Sequence, residues 1–141
     1  MKERIVLGCL SLLIQTTFCC AQGPSLKELE LYSQMSLGAL DGVLTGKMYT
    51  DVKSNSVKDV RSWKNATGMI EHQDTLVKYT TSSFDAKLTI SKKLEMRGYI
   101  LIESSDLMQV YATYKYEIRL DHVIENTGQD VYVISMKFKR G

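Results

Sequence analysis

Two short stretches place titratable side chains close together. Glu71-His72-Gln73-Asp74 offers an imidazole and two carboxylates within four residues, the donor types that bind a divalent metal or relay a proton. The spacing works against both uses. Neighbours on an extended chain point to opposite faces, so Glu71 and His72 diverge, and no second His or Cys lies nearby to complete a ligand set. A solvated turn accounts for the same residues. Asp121-His122 divides across a strand in the same way, and His122 reads as the end of a partly buried apolar stripe. These are the only two histidines. Serines are plentiful, but there is no Gly-x-Ser-x-Gly elbow and no glycine-rich phosphate loop. No pair of carboxylates stands out for glycoside cleavage. The reading is of a protein that is not an enzyme, with no cofactor and no metal site.

Aromatic residues are the other candidates for recognition. Tyr99, Tyr111, Tyr114, Tyr116 and Tyr132 gather in the last half of the chain. Tyrosine favours strands and fills cores, so packing explains them first. The functional alternative sets some of these rings on the open face of a sheet, where an aromatic body with a polar tip adheres to protein or sugar. Trp63 and Tyr111, in equivalent-looking places of the two halves, and Tyr114 are the candidate binding residues.

The elements that must carry these side chains begin after a leader. Lys2 and Arg4 open the chain, and a short apolar stretch runs from Ile5 to Ile14. It falls short of the roughly 20 apolar residues of a transmembrane helix. Cys19, Cys20 and Ala21 give small residues where a signal peptidase cuts, which puts a signal peptide at 1–21 and a single domain at 22–141. The residues before Cys19 and Cys20 do not match a lipoprotein signal, so soluble export is favoured over lipid anchoring. All three cysteines, Cys9, Cys19 and Cys20, fall in the leader. The mature chain then has no disulfide framework, which suits a periplasmic or secreted bacterial protein. With 18 basic against 16 acidic residues, the balance argues against a nucleic-acid partner. Stable membrane insertion is not expected either.

Ser25 with Glu28 forms a capping-box pattern. Leu29, Tyr32, Met35, Leu40, Val43 and Leu44 then form an apolar stripe at helical steps, and Gly46 offers a left-handed stop. Strands are expected at Met48–Val52, Val60–Lys64 with Met69–His72 extending that ladder, and Thr75–Thr81. Residues 84–97 carry a conflict. Ser82 or Ser83 before Asp85, with Lys92, Lys93 and Arg97 ahead of Gly98, marks a helix, whereas Phe84, Ala86, Leu88 and Ile90 alternate as a strand would. The caps and terminal charges favour the helix. Beyond it lie strands at Tyr99–Glu103 and Leu107–Tyr116, and a hairpin joins Tyr116–His122 to Val131–Lys139 through a Thr-Gly turn.

Both halves, 25–81 and 82–141, thus run from a Ser-capped helix through a glycine stop to strands, with "TGKMYTDV" opposite "MRGYILIE". The expected fold is α+β, with two tandem α-β-β-β units forming one antiparallel sheet and both helices packed on one face. "SSFDAKLTISKKLEMRGYILIESS", the Tyr-rich strand after it and "VYVISMKF" resemble small exported Bacteroidetes proteins of unknown function. That resemblance implies a fold and a compartment and carries no active-site residue. In outline the layout is also similar to bacterial lactamase inhibitors, which bind an enzyme with duplicated helix-plus-sheet units. The functional expectation is a non-catalytic envelope factor that binds another envelope or secreted protein as an inhibitor, immunity or accessory protein. It should show an apolar-aromatic patch on the exposed sheet face or at an edge strand. The alternative is a carrier of a glycan, lipid or peptide, which should show a pocket between sheet and helices.

Overall fold

The computed structural model describes residues 23–52 and 59–141. The expected signal peptide, its cleavage after Ala21, the three cysteines and most of the loop after the first strand lie outside the described residues. Among the described residues, three α-helices and eight strands make up an α+β fold.

Helix α1 spans Leu26–Gln34 and begins with the capping box read from sequence. The Glu28 N–H donates to Ser25 Oγ at 3.2 Å, and the Ser25 N–H donates to Glu28 Oε2 at 2.9 Å. The single helix expected through Gly46 is two helices. Met35 is extended, and Ser36 caps a second helix, α2 at Leu37–Gly46, by accepting the Ala39 N–H at 3.3 Å. Serine offers the chain a local hydrogen bond in place of the helical ladder, and Gly38 adds little propensity to hold one helix together. The break lets each piece press its own residues on the sheet: Leu26, Leu29 and Tyr32 from α1, Leu40 and Leu44 from α2.

Helix α2 does not end as the glycine suggested. The left-handed residue is Met48, with φ 65°, and Gly46 is the last helical residue. The same ending recurs fifty residues on, where Gly98 has φ 80°. In both places the next tyrosine donates its N–H to a leucine carbonyl five residues earlier, Tyr49 to Leu44 and Tyr99 to Leu94, each at 3.0 Å. This bond satisfies a carbonyl that the helix end would leave unpaired. It also turns the chain into an edge strand.

Residues 84–97 are helical. Helix α3 covers Phe84–Leu94, with Ser83 Oγ accepting the Ala86 N–H at 3.2 Å, and a 3-10 turn follows at Glu95–Arg97. Burial settles the conflict in the sequence. Ile90 and Leu94, four residues apart, are buried, whereas Phe84 at the start of the alternating run is half exposed.

The strands are β1 Thr50–Val52, β2 Arg61–Asn65, β3 Gly68–Gln73, β4 Leu76–Thr81, β5 Ile100–Ser104, β6 Met108–Ala112, β7 Tyr116–Ile124 and β8 Asp130–Phe138. They form one sheet in the order β1-β2-β3-β4-β8-β7-β6-β5, and every pairing is antiparallel. Each half contributes a four-strand meander, and the two meet where β4 pairs with β8. The extra strand in the first half comes from Asn65. Its side-chain oxygen accepts the N–H of Thr67 at 2.8 Å and of Gly68 at 3.3 Å, folding β2 back on β3.

Register sorts the side chains into a covered and an open face. One covered row runs Trp63, Ile70, Tyr79, Ile134 and Leu120, and the next runs His72, Val77, Met136, Ile118 and Tyr111. All ten are buried beneath the helices. Two glycines make room for Tyr79. A Cβ on Gly23 would stand 2.1 Å from the Tyr79 hydroxyl oxygen, and one on Gly68 would stand 2.2 Å from the Thr80 carbonyl and 2.9 Å from the Tyr79 ring. A side chain at either position would have to displace its neighbour.

Candidate functional site

The candidate aromatic residues part company. Trp63 is fully buried on the covered face, and its indole N–H donates to Asp41 Oδ1 of α2 at 2.8 Å. Tyr111 is also buried on that face. The expectation of rings on the open face is corrected for both. Tyr79, Tyr111, Tyr116 and Tyr132, the tyrosines within strands, share the covered face by register, because an aromatic body contributes most where it leaves water. Tyr114 alone of the three candidates is exposed, in the turn between β6 and β7.

The open face is charged. Glu71 lies across from Lys78, Glu117 lies across from Lys137, and Arg119 donates to both oxygens of Asp121 at 2.8 and 2.9 Å. Alternating charge of this kind keeps a sheet face in water.

Glu71, His72 and Asp74 diverge as alternation requires. Glu71 is on the open face, His72 is buried on the covered face, and Asp74 sits in the following turn with φ 54°, accepting from Arg140 at 2.9 Å. Among the described residues no group of three His, Cys, Asp or Glu is arranged to hold a metal ion. His72 is 2 % exposed, and neither ring nitrogen has a hydrogen-bond partner among the described residues. Burial pushes its pKa below the ordinary histidine value, and the backbone of Tyr32 and the charge of Asp74 only partly oppose this. His122 stacks on Tyr132 with centroids 5.0 Å apart, and its Nε2 lies 2.8 Å from Asp130 Oδ1.

Between the starts of α1 and α3 lies a cleft of about 530 Å³, lined by Leu26, Tyr79, Thr81, Ser83, Asp85 and Lys93 among others. Its hydroxyls are partly spent on the fold. Thr81 Oγ1 donates to the Thr67 carbonyl and accepts the Ser83 N–H, and Ser83 Oγ caps α3.

The strongest unsatisfied surface is the β5 edge. All five residues of Ile100–Ser104 are exposed, and Ile100, Leu101 and Ile102 are 70 %, 47 % and 59 % exposed. Of the twelve large apolar residues exposed among the described residues, six fall between Met96 and Tyr114. Leu107 stands in the β5–β6 turn, and Tyr114 follows two residues after Ala112, the partner of Ile100. An outermost strand also carries backbone N–H and C=O groups that no neighbour pairs. A β-bulge between Leu101 and Glu103 re-aims the side chains at its centre. The opposite edge differs in kind. β1 has three residues, and its Asp51 is held by Arg61 at 3.0 Å, which also reaches Asp41 at 3.4 Å. Charge and shortness blunt that edge.

The root of β5 is fixed by a polar cluster. Glu30 of α1 is buried and accepts from the Arg97 guanidinium and, at 2.8 Å, from the Tyr99 hydroxyl. Tyr99 is buried directly before Ile100. Its phenol is pushed far above the ordinary range by burial and then by the Glu30 carboxylate, so it remains a donor. Gln34 reaches the Tyr116 hydroxyl beside it. In the sequence, Tyr99–Glu103 stands out only as a short apolar strand. Its position at an edge depends on the β4–β8 junction, which no local pattern announces. Glu30 carried no signal at all.

No helix among the described residues is long and apolar enough to cross a membrane. The chain matches no family model, no curated protein and no solved structure.

Proposed function

We propose that this is an exported, non-catalytic factor that binds another envelope or secreted protein through the β5 edge, in an inhibitory, immunity or accessory role. The observation that carries the reading is the exposure of Ile100, Leu101 and Ile102 on an outermost strand. Main-chain hydrogen bonds to an added strand supply affinity, and flanking side chains supply selectivity. Such an edge invites aggregation unless it is occupied or guarded. Tyr114 is retained as a candidate contact at the start of the edge, while Trp63 and Tyr111 support the core.

The test is cross-linked capture from the native envelope, with an Ile100→Lys, Ile102→Lys variant as control. Both side chains are exposed, so the variant should fold. The expected result is a protein enriched by the parent and lost with the variant. When that protein is added back, the amides of Ile100–Ser104 should gain protection from hydrogen exchange. Equal capture by both proteins, or no protection of β5, overturns the reading. The cleft between α1 and α3 favours a second reading, a carrier of a glycan, lipid or peptide. A thermal shift with such a ligand, abolished by Ala86→Trp in the cleft wall and untouched by the β5 variant, would decide for it.

A further inference from the structure

Resting on the assignment of β5 as the docking edge, we infer that its partner is an extended segment that pairs antiparallel and carries basic residues first and branched apolar residues after them. The direction follows from the sheet, in which every pairing is antiparallel, and antiparallel pairs are slightly more stable per residue. The order follows from how β5 is written. Its first three residues are exposed and apolar, and its far end carries Glu103 and, in the turn beyond, Asp106. Neither carboxylate enters an ion pair among the described residues. At the near end the cation is already answered, because Arg97 is held by Glu30. An antiparallel occupant meets the acidic end with its own N-terminal end.

A second copy of this chain paired about Ile102 fits poorly. Pairing about Leu101 would set apolar on apolar, so a parent that dimerises in sedimentation where the Ile100→Lys, Ile102→Lys variant does not would overturn the inference in favour of a second copy. Two β5 strands paired about Ile102 would set Leu101 against Glu103 twice, apolar against acidic. They would also bring the two acidic ends to flank the same short ladder. The bulge at Ile102 interrupts the regular ladder as well, so the edge suits a short segment and not an open-ended stack.

Three labelled peptides test this by fluorescence anisotropy against the purified protein: KTKVTVTV, its reversal VTVTVKTK with the basic end last, and ETEVTVTV. The expected order puts KTKVTVTV first, about fivefold tighter than either other peptide at low salt. High salt should shrink that gap, because exposed pairs are worth little and are screened. The charge-inverted variant Glu103→Lys, Asp106→Lys should prefer ETEVTVTV. Equal binding of all three, abolished by Ile100→Lys with Ile102→Lys, overturns the polarity rule and leaves the edge reading standing. Binding of none at millimolar concentration, or binding that ignores the Lys substitutions in β5, overturns both.

Discussion

Replacing Glu30 with leucine tests whether the polar cluster beneath β5 acts as a unit. Leucine keeps most of the side-chain volume and removes every acceptor. The Tyr99 hydroxyl, buried and 2.8 Å from Glu30, then has only Met136 Sδ at 3.9 Å. Leaving a buried donor unmet costs about 1–3 kcal/mol. Arg97 is 41 % exposed on its side chain and rehydrates when released, so its share is held to about 1 kcal/mol or less. The added apolar burial returns part of the loss, for a net destabilisation of about 2 kcal/mol. Tyr99→Phe alone should cost about 1 kcal/mol. In Glu30→Leu with Tyr99→Phe the unmet donor is gone, so the double variant should be more stable than the sum of the single effects by about 1 kcal/mol. Urea unfolding followed by the fluorescence of Trp63, the only tryptophan, measures all four proteins. Additivity within about 0.3 kcal/mol would refute the idea that Glu30 acts through Tyr99.

The buried His72 makes stability depend on pH. Its folded pKa is lowered by burial, so between that value and about 6.5 the unfolded chain holds a proton that the folded chain refuses. Its contribution is complete above about pH 6.5 and falls as the pH drops, with a slope of at most about 1.4 kcal/mol per unit. Urea midpoints from pH 7.5 down to pH 5 should decline in the parent and flatten in His72→Leu; parallel curves would refute this. At Met48, a residue held at φ 65° and 75 % exposed, Met48→Gly should raise stability by about 0.5–1 kcal/mol, because relief of left-handed strain exceeds the entropy that glycine adds to the unfolded chain. A lower thermal midpoint for that variant would show that Met48 packs in a way its exposure conceals.

What was legible in the sequence was local. Ser25 with Glu28 announced a cap because both bonds form within one turn, and the alternation of Tyr116–His122 and Val131–Lys139 announced a hairpin because its partners are close in the chain. The break at Ser36 was harder to see, since an apolar helical period runs across it and only the serine's competition for a backbone N–H interrupts the helix. The shared ending of α2 and α3 was half visible. "TGKMYTDV" stands opposite "MRGYILIE" in the sequence, but the left-handed position falls on Met48 and not on Gly46, and the tyrosine bond to the leucine carbonyl is common to both ends. Site residues fared worst. Trp63 and Tyr111 stand out by type, yet both point inward: each pairs with a residue only seven positions on, Ile70 and Ile118, and which face of those hairpins is covered is decided by helices that no local pattern places. By its sequence β5 is an ordinary strand, and only the sheet order exposes it.

The junction of β4 with β8 has a consequence for how the chain is made. Synthesis delivers residues in order, so the first meander emerges whole and then waits with the flank of β4 bare. The strand that covers it, Asp130–Phe138, is the last of the eight described strands to appear. It brings Ile134 and Met136, both fully buried once in place, and pairs on its other side with β7. The middle of the sheet is therefore its youngest part. A nascent chain that stops before Asp130 would hold two separate halves with raw flanks facing each other, and a premature stop there would cut the sheet through its centre.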